Sequence, residues 1–264
     1  MTETAAATVG RVELPDGGIE YEFRSATPHG TDLAPLVLLH EGLGCLELWR
    51  GFPAALHEST GRAVLVYSRH GYGRSAVVHE PRAVDYMHHE ADEVLPRLLH
   101  ELDVQRPILV GHSDGASIAL LHAGRDDADV EALVLFAPHV IVEDVSIHGI
   151  EAARRAYLDT DLPRRLARYH DDPDATFWGW NDIWLSPEFR AWDITDRLPG
   201  VDVPVLAVQG TDDEYGTLRQ VDLIEQGVTG DVQRVVLEHC RHAPHLDRPD
   251  ATLAAVATFL ARQR

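Results

Sequence analysis

The chain of 264 residues contains no lysine, because all 23 of its basic residues are arginines. Lysine forms Schiff bases with carbonyl substrates and is part of the Walker phosphate-binding loop, so the sequence excludes both of these enzyme classes. The 43 acidic residues give a net charge of -20, which repels the phosphate groups of nucleic acids and of anionic lipids. We therefore expect neither nucleic acid nor a membrane surface as a partner.

Cysteines and long apolar runs are also scarce. Only Cys45 and Cys240 are present, which is too few for a disulfide framework, and we expect both to be free thiols in a reducing compartment. No stretch approaches the roughly 18 apolar residues that a membrane-spanning helix needs. The first residues lack the basic start and apolar core of a signal peptide. These absences predict a cytoplasmic protein.

Short apolar runs indicate a mainly parallel sheet. Residues 11–24 alternate apolar and polar side chains around the turn PDGG, which is typical of a β-hairpin. Continuous apolar runs then predict buried strands at residues 35–40, 63–67, 107–112, 132–137, 204–209 and 232–238. Helical patterns separate them at residues 49–58, 84–102, 114–124, 216–226 and 249–262. This alternation predicts an α/β fold, doubly wound in three layers, that binds ligands at the carboxyl ends of its strands.

Residues 138–200 interrupt the alternation and are predicted to form a helical lid, inserted into a core of residues 1–137 and 201–264. The connection is far longer than the roughly 2 to 6 residues usual between neighbouring elements. Four of the five tryptophans lie in it, at positions 178, 180, 184 and 192. Their rings could fill the core of the insertion itself or form the roof of an apolar substrate pocket. The sequence leaves both alternatives open.

The motif GHSDG, residues 111–115, follows a predicted strand and precedes a helix of small residues. In such a tight turn, glycines at positions 111 and 115 leave room for neighbouring backbone, so that Ser113 stands clear of the sheet. The amides at the start of the helix stabilise the negative charge that develops when the hydroxyl attacks. This context favours Ser113 as a nucleophile over an incidental serine in a glycine-rich turn.

A nucleophilic serine needs a base and an orienting carboxylate. His242 is the candidate base, because it lies on a loop between the last predicted strand and the terminal helix. Asp213, at the end of the strand 204–209, is the candidate acid. The alternatives are His239 and His245 for the base, and Asp212, Glu214, Glu143 and Asp144 for the acid. No second group of ligands accompanies the histidines and Cys240, so we predict no metal and no cofactor.

Amide donors for an oxyanion are expected from two loops. One is Asp114, directly after the serine, and the other is the segment LLHEGLG after the first buried strand. In this segment Gly42 is the candidate donor, with Leu43 as the alternative. The candidate residues for substrate contact are Leu43, His139, Trp178, Trp184 and Trp192.

These motifs, in this order, resemble those of the α/β-hydrolase superfamily over nearly the whole chain. The resemblance is carried by HEGLG (40–44), SRHGYGRS (68–75), GHSDG (111–115), QGTDDEYG (209–216) and HAPHLDRP (242–249). It implies a serine, acid and histidine triad with the acid at Asp213 and the histidine at His242, and a lid at residues 138–200. One departure is Glu41, since many members have glycine there. A carboxylate near the amides that bind the oxyanion repels this anion, unless the carboxylate points away or is paired with a cation.

The resemblance and the aromatic insertion together predict a cofactor-independent serine hydrolase. We expect it to cleave a carboxylic ester of a small apolar or aromatic compound through an acyl-enzyme on Ser113. The resemblance is greatest to the branch labelled meta-cleavage-product hydrolases, so hydrolysis of a carbon–carbon bond is an alternative, with Arg190 as the candidate to bind a substrate carboxylate. A thioesterase and a ligand receptor with slow turnover are further alternatives. A homodimer is a further hypothesis, because the lid exposes surface.

Overall fold

The computed structural model describes residues 7–30 and 32–263. Its strands are β1 (Thr8–Leu14), β2 (Gly17–Arg24), β3 (Leu36–Leu39), β4 (Val64–Tyr67), β5 (Ile108–His112), β6 (Ala132–Phe136), β7 (Val205–Gly210) and β8 (Val232–Leu237). Its α-helices are α1 (Phe52–Thr60), α2 (Tyr86–His89), α3 (Leu95–Glu101), α4 (Asp114–Ala123), α5 (Asp144–Asp159), α6 (Leu162–Leu166), α7 (Pro173–Trp184), α8 (Arg219–Gly227), α9 (Pro244–Asp247) and α10 (Pro249–Leu260). The first six residues, on which part of the signal-peptide prediction falls, lie outside the described residues.

The strands form one sheet, which within the described residues has eight strands in the order β1-β2-β4-β3-β5-β6-β7-β8. The hairpin β1–β2 is antiparallel and joins β4 in antiparallel fashion, and every other pairing is parallel. The predicted α/β class with a mainly parallel sheet is therefore confirmed. Because β3, β5 and β7 run in the same direction, the loops that follow them meet at one edge of the sheet.

The strands from β3 to β7 are buried because apolar side chains cover both faces of the sheet. On one face, alternate strand residues pack against α2, α3 and α4. On the other face, the remaining strand residues pack against α1 and α10. Helices on both faces hold the strand ends in fixed positions, so the loops between β-strands and helices can carry a precise arrangement of side chains.

The segment between β6 and β7 carries α5, α6 and α7, where the sequence predicts an insertion. Aromatic rings pack inside it: Tyr157 stacks on Phe177 at 3.8 Å between ring centroids, and Trp192 stacks on Phe189 at 5.3 Å. The assignment of residues 138–200 as a separate lid stays a prediction. Cys45 and Cys240 are free cysteines, as expected. None of the helices described is long and apolar enough to cross a lipid bilayer.

Candidate active site

Ser113 lies at the sharp turn between β5 and α4. Its φ of 53° and ψ of -117° are uncommon for a residue with a side chain. The amide of Ser113 donates to the carbonyl of Phe136 at 2.9 Å, and its carbonyl accepts from the amide of Ala116 at 2.8 Å. A Cβ added to Gly115 would collide with the carbonyl oxygen of Leu39. The glycine therefore permits the turn, which presents the serine side chain at the carboxyl edge of the sheet.

His242 and Asp213 form a hydrogen-bonded pair beside this edge. Nδ1 of His242 lies 2.8 and 3.0 Å from the two carboxylate oxygens of Asp213. A carboxylate only accepts hydrogen bonds, so Nδ1 carries a proton and Nε2 of the neutral ring has a free lone pair. This is the tautomer that a general base needs, because the lone pair of Nε2 can accept a proton from a hydroxyl group.

Asp213 is fixed by its own hydrogen bonds. Its Oδ1 accepts from the amides of Tyr215 at 2.8 Å and Gly216 at 3.2 Å, while its Oδ2 accepts from the side chain of Gln209 at 2.6 Å. Burial would raise the pKa of Asp213, but His242 and the amide of Tyr215 lower it below its ordinary value. Burial would likewise lower the pKa of His242, yet the charge and hydrogen bond of Asp213 raise it. The pair is therefore arranged to stabilise a protonated imidazole.

The loop after β3 is held by donors to its carbonyl groups. The carbonyl of Glu41 accepts from Nδ1 of His40 at 2.7 Å and from the buried guanidinium of Arg69 at 3.0 Å. In a trans peptide the next N–H points the opposite way, so the amide of Gly42 points away from these donors. It has no acceptor in the described part of the chain. The amide of Gly42 is therefore available as a donor.

Asp114 has a second amide that is unpaired within the described residues, and its side chain anchors the turn. Its N–H is the first of α4, where no carbonyl within the helix can accept it. Its carboxylate accepts from the hydroxyl of Tyr86 at 2.7 Å and lies 3.7 Å from the guanidinium of Arg69. The Tyr86 hydroxyl in turn accepts from the indole of Trp184 at 3.1 Å. These buried contacts fix the side chain of Asp114 and leave its amide available.

Glu41 stands where many alpha/beta hydrolases have glycine, and its carboxylate is paired with His112. Its Oε2 lies 3.3 Å from Nδ1 of His112, whose Nε2 lies 2.7 Å from the backbone carbonyl of His242. Burial would raise the pKa of Glu41, but the hydrogen bond and charge of His112 hold it far below its ordinary value. Glu41 is therefore ionised, and its partner His112 joins the loop after β3 to the loop that carries His242.

These groups surround a cavity of about 190 Å³. Its wall is lined by Glu41, Gly42, Leu43, His112, Ser113, Asp114, His139, Ser146, Ile150, Trp180, Trp184, Tyr215, His242 and Ala243. The volume is close to that of apolar cavities of about 150 Å³ that accept benzene. The cavity thus brings together Ser113, His242 and both amide donors in a space for a small molecule.

Comparison with known proteins identifies the family. Residues 36–256 match the sequence model of the alpha/beta hydrolase family. The chain belongs to the alpha/beta hydrolase family. It is 23% identical over 222 residues to proline iminopeptidase of Lactobacillus delbrueckii subsp. lactis, covering 69% of this chain and 76% of that protein. It is 26% identical over 254 residues to the bifunctional esterase/perhydrolase DCH of Acinetobacter calcoaceticus, covering 83% and 89% respectively.

Among solved structures, the 2-hydroxy-6-oxo-6-phenylhexa-2,4-dienoate hydrolase of Rhodococcus sp. strain RHA1 has a TM-score of 0.78 at 14% identity. The alignment covers 97% of this chain and 100% of that chain, and it shows a shared fold. The resemblance to alpha/beta hydrolases stated from the sequence is confirmed. These two relatives are a peptidase and an esterase, and membership of the alpha/beta hydrolase family supports a hydrolase.

The predicted substrate contacts of this alpha/beta hydrolase divide into two groups. Leu43, His139 and Trp184 line the cavity. Trp178 does not line it, because this residue lines a different cavity, and the guanidinium of Arg154 lies 5.2 Å from the centroid of its ring. Trp192 does not line it either, because it packs inside the helical segment. The structure therefore corrects the sequence analysis at these two tryptophans.

Trp180 is a lining residue that the sequence analysis did not select. Its indole lies so close to Gly42 that a Cβ added to this glycine would overlap Nε1. The indole N–H has no acceptor among the described residues and is not sealed from solvent. The spacing of four residues to Trp184 is the signal that could have revealed it, because residues i and i+4 share one face of a helix.

The alternative residues of the sequence analysis lie elsewhere in the alpha/beta hydrolase fold. His245 is buried against Trp49, with 4.7 Å between ring centroids, and burial and nearby charges lower its pKa to about 3. His239 is exposed and lies near Asp212, which is exposed to a smaller degree. Glu143 accepts hydrogen bonds from Thr217 and Gln220. Glu214 accepts a hydrogen bond from the amide of His242. Asp144 forms an ion pair with Arg190 beside another cavity. No group of three or more potential metal ligands occurs in the described residues.

Proposed function

We propose that the protein is a serine hydrolase that cleaves carboxylic esters of small apolar or aromatic compounds. The observation that carries this proposal is that His242, which is hydrogen-bonded to Asp213, lines the same cavity as Ser113. In this proposal Ser113 is the nucleophile, His242 the general base and Asp213 the group that orients the imidazole. The amides of Gly42 and Asp114 form the oxyanion hole.

In the acylation step, Oγ of Ser113 attacks the acyl carbon while Nε2 of His242 takes its proton. The oxygen of the carbonyl group becomes an oxyanion that accepts from the amides of Gly42 and Asp114. When the tetrahedral intermediate collapses, the bond between the acyl carbon and the alkoxy oxygen breaks. His242 donates its proton to that oxygen, and the alcohol leaves.

In the deacylation step, a water molecule attacks the acyl-enzyme and His242 takes one proton from it. The second tetrahedral intermediate collapses with cleavage of the bond to Oγ of Ser113, which receives the proton back from His242. The carboxylic acid is released and the free enzyme is restored. Asp213 stabilises the imidazolium in both steps, in agreement with the raised pKa of His242.

The cavity wall supports a small and mostly apolar acyl compound. Ile150, Trp180 and Trp184 supply apolar surface from the helical segment, which we propose acts as a lid. The esterase/perhydrolase relative supports ester hydrolysis over the alternatives. A carbon–carbon hydrolase was expected to use Arg190 for its substrate carboxylate, but Arg190 pairs with Asp144 away from this cavity. No observation favours a thioester. The cytoplasmic location and the homodimer stay predictions.

Substitution of Ser113 by alanine tests the proposal. We expect the wild type to hydrolyse 4-nitrophenyl benzoate with multiple turnovers, and Ser113→Ala to lower kcat by on the order of 10⁴-fold. Ser117→Ala is the matched control, because Ser117 lies one turn further along α4 and donates to the carbonyl of His139. Equal rates in the wild type and Ser113→Ala contradict the proposal. Tight binding of the ester without turnover would instead support a receptor.

A further inference from the structure

Glu41 is a charged residue of the cavity that the proposed reaction does not use. It lines the cavity together with Ser113 and His242, and 29% of its side chain is exposed. Its partner His112 is far more deeply buried, at 2% exposure. Both ring nitrogens of His112 already face acceptors, namely Oε2 of Glu41 and the carbonyl of His242. His112 also lines the cavity, but the carboxylate is the more exposed member of the pair.

The charge that offsets this carboxylate comes from its buried partner His112 and not from an arginine in the cavity wall. No arginine lines the cavity in the described residues. The guanidinium of Arg69 is fully buried and donates to the backbone of the loop after β3. The carboxylate of Asp114 is buried beneath the hydroxyl of Tyr86. His139 is neutral, because burial and the charge of His242 lower its pKa to about 3.

A negatively charged substrate group would thus meet the carboxylate of Glu41, the more exposed member of the pair, before the buried His112 that offsets its charge. In a small cavity the two charges cannot separate widely, and a partly buried charge is screened less than one on the surface. We propose that Glu41 determines the charge of the substrate, so that the enzyme accepts neutral or cationic acyl compounds and rejects those that carry a second, free carboxylate. This inference rests on the proposed function and adds the substrate class.

Two esters with acyl groups of similar shape provide the test. The 4-nitrophenyl esters of 4-methylbenzoic acid and 4-carboxybenzoic acid differ in a methyl group and a carboxylate at the same ring position. We expect the wild type to prefer the neutral ester by at least about tenfold in kcat/KM. Glu41→Gln keeps the size of the side chain and removes its charge, so we expect it to reduce this preference about tenfold. The ratio of kcat/KM for the two esters cancels any effect of the substitution that changes both reactions equally.

Glu214→Gln is the matched control. Glu214 accepts from the backbone amide of His242 at 3.3 Å, and like Glu41 it raises the pKa of His242. It does not line the cavity. We therefore expect Glu214→Gln to have the same ratio of kcat/KM for the two esters as the wild type. The inference is overturned if Glu41→Gln also keeps that ratio, or if the wild type prefers the anionic ester.

A binding measurement separates this inference from the proposed function. The amides 4-methylbenzamide and 4-carboxybenzamide carry the same ring groups and can be titrated calorimetrically into Ser113→Ala, with and without Glu41→Gln. We expect the neutral amide to bind more tightly. We expect Glu41→Gln to reduce the ratio of the two dissociation constants about tenfold. If neither ester is hydrolysed but this difference is observed, the proposed function fails and the charge preference stands. Equal binding of the two amides contradicts the inference.

Discussion

The ionisation of His242 is controlled by the carboxylates around it. Burial lowers the pKa of the ring, whereas Asp213 raises it through its charge and hydrogen bond, and Glu214 and Glu41 raise it through their charges. The net result is a pKa above the ordinary value of 6.5. A general base must be neutral to accept a proton. We therefore expect activity above this pKa and its loss as the pH falls through it.

The raised pKa of His242 predicts how the activity depends on pH. In the free enzyme, kcat/KM for a neutral ester should rise with pH along a limb whose midpoint lies above 6.5, because His242 must lose its proton first. Glu214→Gln removes one of the charges that raise the pKa, so the midpoint should move to lower pH. A pH–rate profile of the wild type and this variant measures both. A midpoint below 6.5 in the wild type, or a shift to higher pH in the variant, would contradict this explanation.

The pairing of Glu41 shows the limit of sequence reasoning at the residue scale. The sequence places a carboxylate beside the expected oxyanion donor and predicts repulsion unless it is paired. Its partner His112 belongs to β5, and the two residues meet because β3 and β5 are neighbours in the sheet. Strand order is a property of the fold, so no local spacing reveals this contact.

At the scale of single elements, α7 shows which tryptophans face the cavity. Trp180 and Trp184 are four residues apart and line it, whereas Trp178 faces the opposite side of the helix and a different cavity. The number of tryptophans in the insertion does not separate these rings, whereas their spacing along a helix does. Once α7 is known to be a helix, the period selects the pair.

Trp180 gives a prediction for α7. Its indole N–H lies beside Gly42 and has no protein acceptor in the described residues, so it can donate to the acyl oxygen of a substrate. Trp180→Phe removes this donor and keeps an aromatic ring, and we expect kcat/KM to fall about tenfold. Trp178→Phe, on the same helix, should stay close to the wild type in the same ester assay. Similar losses in both variants would indicate a general disturbance of α7.

The elements that carry the candidate site are the ones that the sequence predicts best. Strand β5 and helix α4 follow from a buried apolar run, a glycine-flanked serine and a run of small residues, all within one short stretch. The loops after β3 and β7 follow in the same way from an apolar run and the polar residues after it. Local signals suffice here because the turn geometry is set by neighbours in the chain.

At the scale of the whole molecule, the sequence predicts the sheet and leaves the substrate open. Apolar runs report burial on both faces of β3 to β7, and this is enough for the α/β class. The cavity depends on how α5 and α7 pack over the strand ends, through contacts such as that between Trp180 and Gly42. Such contacts join residues far apart in the chain. The bond that is cleaved must therefore be argued from the assembled site.

The central claim is that Ser113, in the lining of this cavity, is a nucleophile activated by His242. Its most direct test is mass spectrometry after treatment with a fluorophosphonate, which reacts covalently with activated serines. The account predicts one modified peptide, with the phosphonyl group on Ser113, and strongly reduced labelling when His242→Ala removes the base. Labelling of another residue, or undiminished labelling of Ser113 without His242, would contradict it.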